Sequence, residues 1–160
     1  MGKIKIVAIR HDRCTGCNLC QLVCSFTKAR NFNLQESRIR IHENEKEGFF
    51  PQICRNCQEP PCLDACPAGA IVRRKEDDYV MLLENKCVGC NMCVMVCPFN
   101  AIGQGDGFNY KCDTCDHLEN CAQICPFGAI EFITLDKALI QKRRRTADRL
   151  TGLAGKHAKW

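Results

Sequence analysis

Apolar and polar residues alternate in several short stretches of this 160-residue chain, with the period of a half-buried strand. Lys3-Ile4-Lys5-Ile6 alternates, and so does Arg38-Ile39-Arg40-Ile41. Tyr79 to Leu83 reads as a third strand, joined to Ile71-Val72 through the charged turn Arg73 to Asp78. Near the C-terminus Thr134 is placed to cap a helix, with Asp136 in a first turn that favours negative charge. Leu135, Leu139, Leu150 and Leu153 form a partial helical stripe, interrupted by Lys142 and Thr146. Gly152 and Gly155 loosen the end of it, and Trp160 closes the chain. No stretch approaches the roughly 18 apolar residues of a membrane helix, so no membrane insertion is expected. The apolar stretch Ile6 to Ile9 is far too short for the core of an export signal.

Between these elements stand sixteen cysteines in four groups of four. They are Cys14, Cys17, Cys20 and Cys24; Cys54, Cys57, Cys62 and Cys66; Cys87, Cys90, Cys93 and Cys97; and Cys112, Cys115, Cys121 and Cys125. Groups one and three are strict C-x2-C-x2-C-x3-C, while groups two and four lengthen only the middle gap, to four and five residues. Three groups end in Cys-Pro, at Pro67, Pro98 and Pro126. This is the bacterial ferredoxin run, in which closely spaced thiolates wrap an iron–sulfur cubane and the last thiolate ligates a neighbouring one. At four ligands per cubane, sixteen cysteines predict four 4Fe–4S clusters. A disulfide framework belongs to small secreted chains. Structural zinc wants two C-x2-C pairs some 15–20 residues apart, often with histidine. Here the third and fourth cysteines follow at once, and His11, His42, His117 and His157 lie outside the ligand spacing.

The groups carry an internal repeat. Pro67-Ala68-Gly69-Ala70-Ile71, Pro98-Phe99-Asn100-Ala101-Ile102 and Pro126-Phe127-Gly128-Ala129-Ile130 are copies of one device. Proline stops the short helix bearing the last cysteine, and Ala-Ile then enters a strand or packs against the cluster. Residues 54–102 therefore read as a complete two-cluster ferredoxin, an inner module. Residues 3–53 with 103–133 supply an outer module around it. Under this nesting the ferredoxin rule assigns Cys54, Cys57, Cys62 and Cys97 to one inner cluster, and Cys87, Cys90, Cys93 and Cys66 to the other. The outer pair takes Cys14, Cys17, Cys20 and Cys125, then Cys112, Cys115, Cys121 and Cys24. The alternative pairs group one with two and group three with four. The 14 residues between Cys97 and Cys112, broken by Gly103, Gly105 and Gly107, favour nesting. Group one departs from its siblings, because Ser25 replaces proline and lets a helix continue through Phe26 and Lys28. In the insertion 25–53, Phe49 and Phe50 either shield a cluster or form part of a docking patch.

Composition changes the picture in two ways. Aromatics make up only 7%, and the 46% hydrophobic fraction counts the cysteines, so the apolar core is thin. The clusters are expected to staple the fold, with little stable structure without iron. So many thiols with no export signal point to a reducing cytoplasm, and exposed clusters point to an anaerobic setting. Charge is the second change. Residues 134–160 hold eight Lys/Arg (Lys137, Lys142, Arg143, Arg144, Arg145, Arg149, Lys156 and Lys159) against Asp136 and Asp148, a net +6. The body, with fifteen basic and sixteen acidic residues, is −1. Four thiolate-bound cubanes at about −2 each would take it to roughly −9. The tail reads either as a solvated helix on its own acidic body or as an arm that docks a neighbouring subunit, with head-to-tail self-association as one outcome.

Four such runs in this order resemble the four-cluster electron-transfer subunits of molybdenum and tungsten oxidoreductases. These include the iron–sulfur subunits of dimethyl sulfoxide reductase and formate dehydrogenase, and the small subunit of carbon monoxide dehydrogenase systems. The resemblance covers residues 3–133. Nitrate reductase relatives replace one third-run cysteine by tryptophan, whereas this chain keeps Cys90, so the resemblance implies four cubanes. Ser37-Arg38-Ile39-Arg40-Ile41 and Gln58-Glu59-Pro60-Pro61-Cys62 are similar to the small subunits that accompany tungsten aldehyde oxidoreductase-type enzymes. The implied fold is α+β, with nested tandem ferredoxin-like modules over 1–133 and a basic helical tail over 134–160. The implied function is electron relay between a tungsten or molybdenum pterin subunit and a second redox protein or flavin subunit. A freely diffusing polyferredoxin, or a subunit of a carbon monoxide dehydrogenase or hydrogenase system, is the alternative. No residue set suggests substrate chemistry of its own, so the chain is expected to be non-catalytic. Gly103 to Gly107 lies between two cysteine runs and opens no helix, so it reads as a turn rather than a nucleotide loop. The basic run lacks the interleaved aromatics of a nucleic-acid groove.

Overall fold

The computed structural model describes residues 5–151. Strand β1 (Lys5–Ile9) leads through a single 3-10 turn to helix α1 (Leu19–Ala29). A hairpin of β2 (Arg40–Asn44) and β3 (Gly48–Gln52) follows, then the short helix α2 (Pro61–Asp64) and a hairpin of β4 (Ile71–Arg73) and β5 (Val80–Leu82). Helix α3 (Met92–Val96), a hairpin of β6 (Ile102–Gln104) and β7 (Asn109–Lys111), and helix α4 (Asn120–Gln123) complete the cysteine-bearing part. Strand β8 (Ile130–Thr134) returns to pair antiparallel with β1, from Lys5 opposite Thr134 to Ile9 opposite Ile130. Helix α5 (Leu135–Leu150) starts directly after β8 and packs against β1 and β8. The mixture of short helices and two-stranded sheets matches the expected α+β class.

Helix lengths follow the residue after each last cysteine. The short helices bear the third cysteine of each run, not the last: α2, α3 and α4 end before Cys66, Cys97 and Cys125, because proline disfavours helical backbone in the residue before it, whereas Ser25 lets α1 run for eleven residues through Cys24. Each Pro-x-x-Ala-Ile device ends with a buried isoleucine opening a strand: Ile71, Ile102 and Ile130. Helix α2 packs on α3, and α1 packs on α4. The buried residues form two clusters, and cysteines supply much of both. The core is thin because the ligand loops occupy its centre.

Strand bounds differ from the alternation in the sequence, for local reasons. The Arg38–Ile41 strand begins only at Arg40. The Ser37 hydroxyl bonds the backbone of Ile39, and the Arg38 amide donates to Cys24 Sγ at 3.2 Å, so neither residue is free for a ladder. In β1 the deeply buried residues are Val7 and Ile9 rather than Ile6, since the face they share joins the buried core cluster. The Phe49-Phe50-Pro51 segment is the middle of β3, and the glycine-rich stretch after Ile102 is the β6–β7 hairpin. Lys3, Ile4, Gly152, Leu153, Gly155, Lys156, His157, Lys159 and Trp160 lie outside the described residues. Among the described residues, no helix is long and apolar enough to cross a membrane.

Candidate metal centres

Groups one and three share the heptad C-x-G-C-N-x-C, and their backbones share one path. A 3-10 turn delivers the first cysteine, whose amide bonds the residue three before it: Cys14 N to His11 O at 3.0 Å, Cys87 N to Glu84 O at 3.1 Å. The chain then curls left-handed at Gly16 and Asn18, and likewise at Gly89 and Asn91. Glycine is required at Gly16 and Gly89 for a second reason. A Cβ on Gly16 would meet the Phe49 ring at 2.5 Å, and one on Gly89 would meet Gly107 O at 2.9 Å. Phe49 therefore covers the first ligand loop, the shielding role, while Phe50 beside it is exposed. In group four, the longest gap is taken up by left-handed residues from Thr114 to His117 and at Glu119.

The sixteen cysteines gather around four cavities. Cavity I, about 340 Å³, is ringed by Cys14, Cys17, Cys20 and Cys125. Cavity II, about 340 Å³, is ringed by Cys24, Cys112, Cys115 and Cys121. Cavity III, about 360 Å³, holds Cys54, Cys57, Cys62 and Cys97, and cavity IV, about 280 Å³, holds Cys66, Cys87, Cys90 and Cys93. Each ring takes three cysteines from one run and the last from another, as cross-ligation requires of a ligand set. Among the described residues, no three Cys, His, Asp or Glu side chains close tightly enough to hold a single ion. Zinc would need its thiolates at about 2.3 Å. Rings of four sulfurs around a wider space fit a group that is itself several atoms across, such as a cubane.

Sulfur-directed hydrogen bonds finish the rings. In the three Pro-x-x-Ala-Ile copies the alanine amide donates to the preceding last cysteine: Ala70 to Cys66 at 3.3 Å, Ala101 to Cys97 at 3.4 Å and Ala129 to Cys125 at 3.3 Å. The alanine is thus more than filler, since its N–H is aimed by the left-handed residue before it, Gly69, Asn100 or Gly128. Asn109 donates twice in cavity IV, from its backbone to Cys87 and from its side chain to Cys93. Burial pushes the Cys20 and Cys112 thiols up to about 12 and Cys62 up to about 11. Such thiols keep their protons until a metal displaces them, so loading releases protons.

The cavities lie in series. Cys20 and Cys24 share α1 and face I and II, while Cys121 in α4 and Cys125 just past its end face II and I. Cys62 in α2 and Cys93 in α3 line III and IV, and Cys66 and Cys97, just past the ends of those helices, cross to IV and III. Along α1, four residues of helix span only about 6 Å. Cavities II and III meet through adjacent residues: Ile53 lines II and Cys54 lines III, while Lys111 lines III and Cys112 lines II. The exposed cysteines are Cys17 in cavity I and Cys90 in cavity IV, the two ends of the series.

Charge around the rings is uneven. Arg13 lines cavity I, Lys28, Arg38, Asp113 and Glu119 line cavity II, and Arg55 and Lys111 line cavity III, whereas no charged residue lines cavity IV. Burial raises the Asp113 carboxyl, but the Lys28 ammonium at 2.6 Å outweighs it and holds that carboxyl below its ordinary value. Burial, followed by the Cys112 and Cys54 thiols, pushes the Tyr79 phenol well up, so it keeps its proton. The sequence marks Tyr79 only as the start of a strand and Lys111 not at all, because a lone aromatic and a lone lysine carry no spacing signal. Among the described residues, His11, His42 and His117 line none of the rings: His42 bonds Gln52, and His117 lies 3.4 Å from Asp77.

Residues 46–135 match the 4Fe-4S dicluster domain family, and residues 11–27 match a 4Fe-4S binding domain family. The chain is 33% identical over 133 residues to the NADH-dependent phenylglyoxylate dehydrogenase subunit beta of Aromatoleum evansii, covering 80% of this chain and 30% of that one. It is 35% identical to an iron-sulfur protein of Rhodospirillum rubrum, covering 69% of this chain and 67% of that one. It is 34% identical to the polyferredoxin-like subunit of an aliphatic sulfonate oxidoreductase of Pyrococcus furiosus, covering 72% of this chain and 68% of that one. The chain thus spans under a third of the first of these relatives and about two thirds of the other two.

Proposed function

Because the chain belongs to the 4Fe-4S dicluster domain family, we propose that it is a non-catalytic electron-transfer subunit with one 4Fe–4S cluster in each of its four cavities. The sixteen cysteines are the ligands in this reading, with Cys24, Cys66, Cys97 and Cys125 each crossing to the neighbouring centre. Bound clusters take up and release single electrons. The protein's own contribution is to hold the rings in series, donate N–H bonds to their sulfurs and exclude water from the central pair. The observation that carries the reading is the serial order of the cavities, with an exposed cysteine only at each end. Electrons entering at one end then leave at the other, which suits a relay between two partners.

The partners are a catalytic oxidoreductase subunit, of the molybdenum or tungsten pterin type by resemblance, and a second redox protein or flavin subunit. The Pyrococcus relative is named as a polyferredoxin-like subunit of an oxidoreductase, which supports a complex over a free carrier. Residues 134–160 form a separate basic tail in this reading, which either lies on the acidic body or docks a neighbour. Anaerobic isolation from native cells tests the function. The chain is expected to co-purify with a larger redox subunit, to exchange electrons with artificial dyes and to oxidise no aldehyde or formate unaided. Recovery as a lone monomer that turns over such a substrate overturns the assignment.

A further inference from the structure

The junction between cavities II and III contains a buried hydroxyl with nothing to satisfy it. Tyr79 is 3% exposed, and its Oη has no hydrogen-bond partner. Buried phenols nearly always find one. Neighbouring Cys112, whose carbonyl accepts from the same Lys111 that approaches the Tyr79 ring, is one of the cysteines ringing cavity II. A neutral thiol is a weak acceptor, whereas a thiolate bound to iron would satisfy the phenol. Lys111 Nζ lies 5.0 Å from the centroid of the same ring. Lys111 is itself buried, donates to Val80 O and to Cys112 O, and lines cavity III. One aromatic ring and one cation therefore fill the partition between the two most buried cysteine rings.

Hydrogen bonds to cluster sulfur and local charge are what set a cluster's potential. Burial alone makes an added electron less welcome at the central centres, because negative charge is poorly solvated there. A donor and a cation at the partition oppose that effect. Cavity IV, by contrast, has no charged residue in its lining.

We propose that Tyr79 and Lys111 form a potential-setting bridge between the two central centres: the Tyr79 hydroxyl donates to Cys112 Sγ, and Lys111 supplies positive charge to both rings. This rests on the four-cluster reading and adds residue roles to it. Neither residue is a ligand. Each acts through the sulfur or the field next to it, making one-electron reduction of the central pair more favourable.

The test is a potentiometric titration, followed by electron paramagnetic resonance, of the full chain loaded anaerobically, with iron and sulfide assayed on every sample. Lys111→Met is expected to lower two of the four one-electron steps, each by at least tenfold in equilibrium constant, or about 59 mV. Tyr79→Phe is expected to lower one of those same two steps by a similar factor. Lys111→Arg restores both. Fully loaded variants with all four steps unmoved overturn the bridge, and so does a Tyr79→Phe shift in a step that Lys111→Met leaves alone. Should either variant load poorly, the wild type decides by resonance Raman. Replacing the two tyrosines by 3-fluorotyrosine, a stronger donor, is expected to shift an iron–sulfur stretch through Tyr79, since Tyr110 donates to Gln35 O, and an unshifted spectrum refutes the hydrogen bond. Wild-type protein with far less than sixteen irons counts against the four-cluster reading instead.

Discussion

The inner and outer halves of the chain use the same four-cysteine run, yet they close it differently. In the inner half, residues 67–86 separate Cys66 from Cys87, and a hairpin of three-residue strands bridges them. In the outer half, residues 25–111 separate Cys24 from Cys112. The longer closure is about fourfold in length, which costs only about 1.2 kcal/mol more by loop entropy. Distance along the chain is therefore a minor term. What differs is the set of contacts that ends the loop. The outer half uses the five-residue β1–β8 ladder, the eleven-residue α1 against α4, and the Lys28–Asp113 pair at 2.6 Å. The inner half has α2 against α3, three-residue strands and the Arg73–Asp78 and Arg74–Asp77 pairs within one hairpin, contacts that are shorter in reach, so its order depends more directly on what fills cavities III and IV.

The largest test of this contrast is removal of iron. A chelator under anaerobic conditions is expected to abolish most far-ultraviolet circular dichroism and to open the chain to protease, with the inner half cut first. Loaded protein should hold close to four irons per four cysteines. An apoprotein as protease-resistant as the loaded form would break the comparison at its root.

A charge in the outer ladder separates the halves. Val7 is buried under the β1–β8 pair, and Val7→Asp should cost several kcal/mol there. About half of the iron should remain, held by the inner rings. Equal loss from both halves would show that they fold as one unit. Crossing ligands sharpen the contrast further. Cys66→Ser should change the resonance of the centre that Cys87, Cys90 and Cys93 hold, and Cys24→Ser the one that Cys112, Cys115 and Cys121 hold. A change confined to each cysteine's own run would refute the crossing.

The ion pair has a smaller effect. Lys28→Ala should destabilise the outer half by about 1 kcal/mol, since the pair is only partly buried. The Asp113 carboxyl is held below its ordinary value in the folded chain. Its contribution is therefore complete above the unfolded value of about 3.9 and is lost as pH falls from there through the folded value. Denaturation midpoints of wild type and Lys28→Ala should converge across that acid window; a constant difference would discount the pair. Deleting residues 135–160 should have the least effect on the metal centres, leaving iron content unchanged. Light scattering at low salt should then show smaller assemblies if the tail docks a neighbour, and identical ones if it is a solvated helix.

Much of this was legible in one dimension because ligand loops are local. The spacing within each run, the proline after three of the four last cysteines, and the Ala-Ile that follows each specify turns a few residues long. Ser25 in place of proline was enough to forecast the length of α1. Strand edges were less legible, since Ser37 and Arg38 spend their hydrogen bonds on Ile39 and on a cysteine fourteen residues earlier. The β6–β7 hairpin was hidden among glycines, where Gly103 makes room for the Tyr110 ring, 2.1 Å from where a Cβ would stand.

By itself, then, the sequence determined the number of cysteine runs, the chemistry of their side chains and the local path of each loop, because these depend on neighbours within a few positions. Only the tertiary structure decided the serial order of the cavities, which ends carry Cys17 and Cys90, and the placing of Tyr79 and Lys111 in the central partition. Those features arise where segments far apart in the chain meet: Ile53-Cys54 beside Lys111-Cys112, and β1 beside β8. Burial, charge and an unpartnered hydroxyl are properties of such meetings, and no spacing rule within one segment encodes them.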